Sequence, residues 1–132
     1  MRRRQALRAL GGAALGGLAG CLGGSGGPKT VDMVGLEFQP RRVSVPAGTT
    51  VEWVNESDIG HTVTAYGDRL PDGATYWASG GFASEAAARK DLQGGLIGAD
   101  GTYAHTFETA GEHPYFCVPH EGSGMTGVVS VG

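Results

Sequence analysis

From residue 31 to residue 131 the chain is cut too often to build long helices. Short runs rich in β-branched residues are separated by Gly, Pro and Asn, and within several of them apolar and polar residues alternate. A side-chain period of two belongs to a strand with one buried face. The runs are 31–34, 43–45 (closed by the turn Pro46-Ala47-Gly48), 50–55, 61–66, 103–107, 112–117 and 128–131. In one of them Tyr103, His105 and Phe107 share a face, and in the next His113, Tyr115 and Cys117 do. The pattern predicts an all-β chain, an antiparallel β-sandwich over residues 30–132. One segment departs from it. Residues 84–92 are alanine-rich, begin on Ser84 and stop just before Gly94-Gly95. That predicts one short helix with an N-cap and a glycine stop, set in the long loop 67–100.

The first 21 residues read as an address. Arg2-Arg3-Arg4 is followed by a mild apolar run, 6–22, broken by glycines at 11, 12, 16, 17 and 20. This is the pattern of a signal peptide, too short and glycine-rich for a stable membrane helix. Arg3-Arg4-Gln5-Ala6-Leu7 has the form of a twin-arginine export signal. Leu18-Ala19-Gly20-Cys21 has the form of a lipobox, whose cysteine becomes a lipid-bearing N-terminus. Lipid on Cys21 would hold the protein at the extracytoplasmic face of the cell membrane without a spanning helix. Residues 22–29 then read as a flexible Gly-rich tether; nine of the chain's 25 glycines precede Pro28.

Charge is just as uneven. Four arginines lie before residue 9, and the rest of the chain holds six basic against 13 acidic side chains, a net of −7. A phosphate backbone requires a basic face, so a nucleic-acid partner is excluded. No internal repeat and no second domain is visible, and a monomer is expected.

The chemistry lies near the C-terminus, in Cys117-x2-His120-x4-Met125. A thiolate, an imidazole and a thioether within nine residues are soft or borderline ligands. Pro119, Gly122, Gly124 and Gly127 allow the loop that lets them converge. A fourth ligand is expected from a distant strand, and His61 fits. Taken alone, His61 reads better as a core histidine than as a ligand. Together the four describe a trigonal His2Cys site with a weak axial methionine, although the same donor types also suit zinc. His105 and His113 read as structural. Cys21, the only other cysteine, is claimed by the lipobox rather than by a disulfide to Cys117.

The chain resembles the small blue copper proteins, the cupredoxins, over residues 31–132. The resemblance is carried by Phe38-x-Pro40, Val45-x2-Gly48-x2-Val51-x-Trp53-x-Asn55, His61, Gly111-x3-Tyr115-Phe116-Cys117-x-Pro119-His120 and Gly124-Met125-x-Gly127-Val128. It is plastocyanin-like, and most like the halocyanins of halophilic archaea in the segment 76–82 and the helix after it. The resemblance implies a Greek-key sandwich and one type 1 copper, cycling between Cu(I) and Cu(II), with His61, Cys117, His120 and Met125 as ligands. It also implies a surface apolar patch around His120, drawn from Ile59, Gly60, Pro119, Gly124 and Leu36. Two residues depart from the plastocyanin pattern. Thr62 stands where an asparagine usually braces the cysteine loop, although its backbone N–H can still reach the Cys117 sulfur. Phe116 stands where tyrosine is usual, which removes a hydroxyl from one expected docking surface.

Four protein ligands leave no open position for substrate, whereas catalytic metal sites keep one. The expectation is an electron carrier, not an enzyme, exchanging single electrons with membrane-bound or peripheral redox proteins. Two other classes compete. One is a copper-binding accessory protein that stores or delivers copper to an oxidase. The other is a metal-free adhesion module in which Cys117 is a plain thiol.

Overall fold

Strand β4 (Thr49–Asn55) turns the alternation of its sequence into alternating burial: Thr49, Val51, Trp53 and Asn55 face inward, with less buried residues between them. The computed structural model describes residues 29–132. The signal segment, Cys21 and the tether as far as residue 28 lie outside the described residues, and Lys29 already belongs to the first strand.

The other strands are β1 (Lys29–Val34), β2 (Glu37–Gln39), β3 (Arg42–Val45), β5 (Thr64–Ala65), β6 (Thr102–Phe107), β7 (Gly111–Phe116) and β8 (Thr126–Val131). They form two four-stranded sheets, ordered β2-β1-β4-β6 and β3-β8-β7-β5. This is the predicted two-sheet sandwich, but it is not wholly antiparallel as expected: each sheet holds one parallel pair, β1 beside β4 and β3 beside β8. Parallel neighbours need a crossover. Between β1 and β4 the chain supplies one by passing through β3 of the opposite sheet.

The core fills the space between the sheets. Val31, Met33, Val51 and Trp53 from one sheet meet Tyr115, Val129 and Val131 from the other. Trp53 sits at the centre, its ring 5.3 Å from Tyr115 and 5.6 Å from Trp77. Such aromatic pairs contribute about 0.5–1.5 kcal/mol each beyond their burial. Trp77 belongs to no strand. It fastens the long connection between β5 and β6 into the core.

That connection carries the predicted helix as α1 (Glu85–Lys90), capped by the Ser84 side chain, which accepts from Ala87 N–H. A single further turn, α2 (Leu92–Gly95), follows at once because Asp91 caps it in the same way. None of the helices in the described residues is long and apolar enough to cross a membrane.

The run 61–66 behaves differently from a simple strand. Only Thr64 and Ala65 join the ladder to β7. His61 exchanges both backbone hydrogen bonds with Ile97, at 3.1 and 2.7 Å. Val63 N–H donates to Ser79 Oγ, and Ser79 N–H returns the bond to the Val63 carbonyl. The β-branched side chains favour an extended backbone, but the long connection supplies its partners.

Candidate metal centre

Cys117 leaves the end of β7 fully buried, and the chain then tightens into a 3-10 turn, Val118–Ser123, opened by Pro119. His120 N–H donates to the Cys117 carbonyl at 3.1 Å, and Met125 N–H donates to the His120 carbonyl at 3.2 Å. Cys117 N–H donates to the Met125 carbonyl at 3.1 Å and closes the loop. Gly124 ends the turn at φ +87°, a left-handed conformation that costs glycine nothing. Gly127 follows where β8 crosses Tyr115. A Cβ there would lie 2.6 Å from the phenol and 2.9 Å from the Arg41 carbonyl, so only glycine fits.

His61 arrives from the far side. Cys117 Sγ lies 3.2 Å from His120 Nδ1 and 3.7 Å from His61 Nδ1, and the two Nδ1 atoms are 3.2 Å apart. A point equidistant from the three atoms is about 2 Å from each, close to the ~2.0–2.3 Å of nitrogen–metal and thiolate–metal bonds. Among the described residues these three form a group able to hold a metal ion. His61, Cys117 and Met125 are fully buried, while His120 is half-buried. The donor set, a buried thiol with one buried and one half-buried imidazole, fits copper.

Electrostatics prepare the same site. Burial pushes the Cys117 thiol up, opposed by the Thr62 and His120 backbone N–H groups. A cation bound here reverses that balance, because a coordinating thiol is deprotonated outright. Burial, and then neighbouring His120, push His61 down. The neutral imidazole that this favours is the form that ligates metals.

The two sequence departures have structural answers. Thr62 braces the cysteine loop itself: its N–H donates to Cys117 Sγ at 3.4 Å, and its hydroxyl accepts from Val118 N–H at 2.8 Å. Phe116 is fully buried and presents nothing to a partner. Tyr66 stacks on it at 4.4 Å, with the Arg89 guanidinium at 4.3 Å from the ring. A phenol therefore does lie over this position, but it comes from residue 66. Its hydroxyl donates to Glu121 at 2.7 Å, and Arg89 pairs with the same carboxylate at 2.9 Å. Arg89 first, and then the Tyr66 hydroxyl, hold the Glu121 carboxyl below the usual carboxylate range. Helix α1 is thereby tied to the residue after His120.

His105 and His113 stand outside the metal-capable group, as their structural reading requires. Both pack on Phe107, and the His113 Nε2–H donates to the Thr109 carbonyl. Cys117 is a free thiol among the described residues. Of the expected patch, Leu36 and Ile59 are exposed apolar side chains. Leu96 joins Ile59: its side chain approaches within 3.0 Å of where a Gly60 Cβ would stand. Leu96 escaped the sequence because it lies 35 residues from His61, and only the His61–Ile97 backbone pairing brings it there.

The family of copper-binding proteins of plastocyanin/azurin type matches residues 28–132. The plastocyanin of Scenedesmus fuscus is 37% identical over 101 residues, which span 76% of this chain and 91% of that protein. The chloroplastic plastocyanin of Tetradesmus obliquus is 35% identical over 76% of this chain and 61% of its own length. Among solved structures, a point mutant of amicyanin in its reduced state superposes with a TM-score of 0.59 at 25% identity, over 80% of this chain and 83% of that one. A purple cupredoxin from Nitrosopumilus maritimus shares the fold at 17% identity, with a TM-score of 0.57 over 79% of this chain and 99% of that one. The chain belongs to the plastocyanin/azurin family of copper-binding proteins and has the cupredoxin fold.

Proposed function

We propose that this cupredoxin carries single electrons through one type 1 copper held by His61, Cys117 and His120, with Met125 as the weak axial donor. The family consists of electron carriers rather than enzymes, and the chain is one of them. The observation that carries the ligand assignment is the convergence of Cys117 Sγ with the two histidine Nδ1 atoms. When bound, the copper supplies one-electron chemistry by alternating between Cu(I) and Cu(II). The chain does the rest. His61 and His120 offer two nitrogens 3.2 Å apart beside the thiol, and the Thr62 N–H directs a hydrogen bond at the sulfur. Full burial of His61, Cys117 and Met125 excludes water, so the donors need little rearrangement when charge changes. The half-buried His120 is the point nearest solvent, and Ile59, Leu96 and Pro119 are exposed apolar residues suited to contact a redox partner.

We further propose a halocyanin-type carrier, tethered by lipid on Cys21 to the extracytoplasmic face of the membrane and working as a monomer with membrane-bound or peripheral redox proteins. The export and lipobox patterns of residues 1–21 support this, as does the helical connection after residue 82.

The visible spectrum after addition of Cu(II) tests the copper site. Wild-type protein is expected to turn intensely blue and to bleach with ascorbate, while Cys117→Ser stays colourless and folded. A blue Cys117→Ser protein overturns the ligand assignment. Weak colour with ready release of copper in the wild type would favour storage or delivery instead. Cys21→Ala is expected to move the protein from the membrane fraction to the medium; retention in the membrane overturns the lipid anchor.

A further inference from the structure

Two side chains, Asn55 and Ser57, lead by successive hydrogen bonds to the His61 ring. Asn55, at the end of β4, is fully buried. Its amide nitrogen donates to two backbone carbonyls, Ile59 at 2.8 Å and Ile97 at 2.9 Å. Carbonyls only accept, so the NH2 group faces them and the Asn55 Oδ1 is an acceptor on the other side. Oδ1 receives the Ser57 backbone N–H at 2.9 Å and the Ser57 hydroxyl at 2.7 Å. A hydroxyl has one proton. The only other acceptor for it besides the histidine is the Ile59 carbonyl, at 3.1 Å. Asn55 Oδ1 is the nearest of the three and, aimed at the hydroxyl by its own anchored amide, takes the proton, which leaves Ser57 Oγ with lone pairs. His61 Nε2 lies 2.9 Å from that oxygen.

From this chain of contacts we infer that Ser57 is a positioning residue that sets the tautomer of His61. With the Ser57 proton held by Asn55, the Nε2 atom carries the hydrogen and donates it to Ser57 Oγ; the Gly35 backbone carbonyl beside the ring favours a ring N–H in the same way. A neutral imidazole carries only one N–H, so Nδ1 is left as a bare lone pair. Nδ1 is the atom that faces Cys117 Sγ and His120 Nδ1. Asn55 and Ser57 thus hold the ring ready for a metal before one arrives. The inference rests on the reading of His61 as a copper ligand, and it names what prepares that ligand. Partners of this kind typically change metal affinity by ~10–100-fold.

The test uses the metal-free protein first. With 15N-labelled histidine, NMR of the wild type is expected to show His61 protonated at Nε2 and bare at Nδ1. Ser57→Ala is expected to mix the two tautomers, and Ser57→Thr, which keeps the hydroxyl, to preserve the wild-type pattern. Competition against a chromophoric chelator should show copper(I) binding weakened by ~10–100-fold in Ser57→Ala and retained in Ser57→Thr. A wild-type His61 protonated at Nδ1 overturns the inference, as does a Ser57→Ala protein with unchanged tautomer and affinity. Wild-type protein that shows the Nε2–H tautomer and binds no copper would overturn the ligand reading while leaving the positioning of the ring intact.

Discussion

Thr62 grips Cys117 and the residue after it at once: its N–H lies 3.4 Å from the sulfur, and its hydroxyl accepts the Val118 N–H at 2.8 Å. The same hydroxyl lies 3.1 Å from Thr64 Oγ1, and either oxygen can donate to the other. Thr62→Val keeps the shape and the N–H···S contact but strands the Val118 N–H. An unpaired, largely buried donor costs ~1–3 kcal/mol. For a domain of this size the melting temperature should drop by roughly 4–8 °C for each kcal/mol lost. The blue colour of the copper form should survive. Calorimetry showing an unchanged melting temperature would mean that the hydroxyl braces nothing.

Tyr66 predicts the alkaline limit of the fold. Burial, and then its hydrogen bond to Glu121, push its phenol up to about 12 from an ordinary value of about 10. The folded state therefore binds this proton more tightly than the unfolded chain does. Its contribution is fully present below pH ~10 and is lost as pH rises through ~12. Burial also raises Tyr103 to about 12, and Tyr76 and Tyr115 further still, so the wild type should lose stability steeply in this window. Tyr66→Phe removes one of the four groups and should flatten the loss. Chemical denaturation between pH 9 and 12 measures it, and identical slopes for the two proteins would remove Tyr66 from the account.

Much of this molecule could be read before folding. The alternation in β4 and the apolar spacing of Val43 and Val45 translate directly into buried positions, because a strand has only two faces. Cys117, His120 and Met125 were legible as a set because one short loop carries all three. What could not be read depends on distant backbone. The Ser57 hydroxyl lies against the His61 ring, and the Asn55 amide beside it is anchored in part by the Ile97 carbonyl, 42 residues further on. The parallel pairing of β3 with β8 leaves no local trace in either strand. Trp77 carries no strand pattern, yet its ring stacks on Trp53 in the core.

Met125 should tune the site more than it builds it. It is fully buried, and its backbone, not its side chain, closes the loop through Cys117 and His120. Met125→Leu conserves volume, and such swaps usually cost less than ~1.5 kcal/mol of stability. A thioether donor favours Cu(II) over a site without it, so its removal should raise the reduction potential. Each tenfold difference in that preference is worth about 59 mV for a one-electron couple. Voltammetry that shows no rise would exclude Met125 as the axial donor.

How electrons reach the copper depends on which surface meets the partner. The described chain has six basic and 13 acidic side chains, enough net charge to steer a basic partner at low ionic strength. At ~1 M salt the Debye length falls to ~3 Å, and steering over longer distances disappears. Contact then rests on short-range packing. Ile59 is 44% exposed and Leu96 37%, and the two flank Gly60 beside His61. Leu36 and Gly124 line an open groove. A charge at the centre of such a patch is desolvated on docking without a partner, and central contacts of this kind each carry ~1 kcal/mol or more. Ile59→Lys should therefore slow electron exchange at molar salt by about fivefold or more. Asp68 and Asp72 are exposed on the connection after β5, and Asp68→Asn with Asp72→Asn should change the rate little. Stopped-flow kinetics with a redox partner at molar salt decides between them. A rate that follows the two aspartates and ignores Ile59→Lys would place the entry point on the acidic connection instead of beside His120.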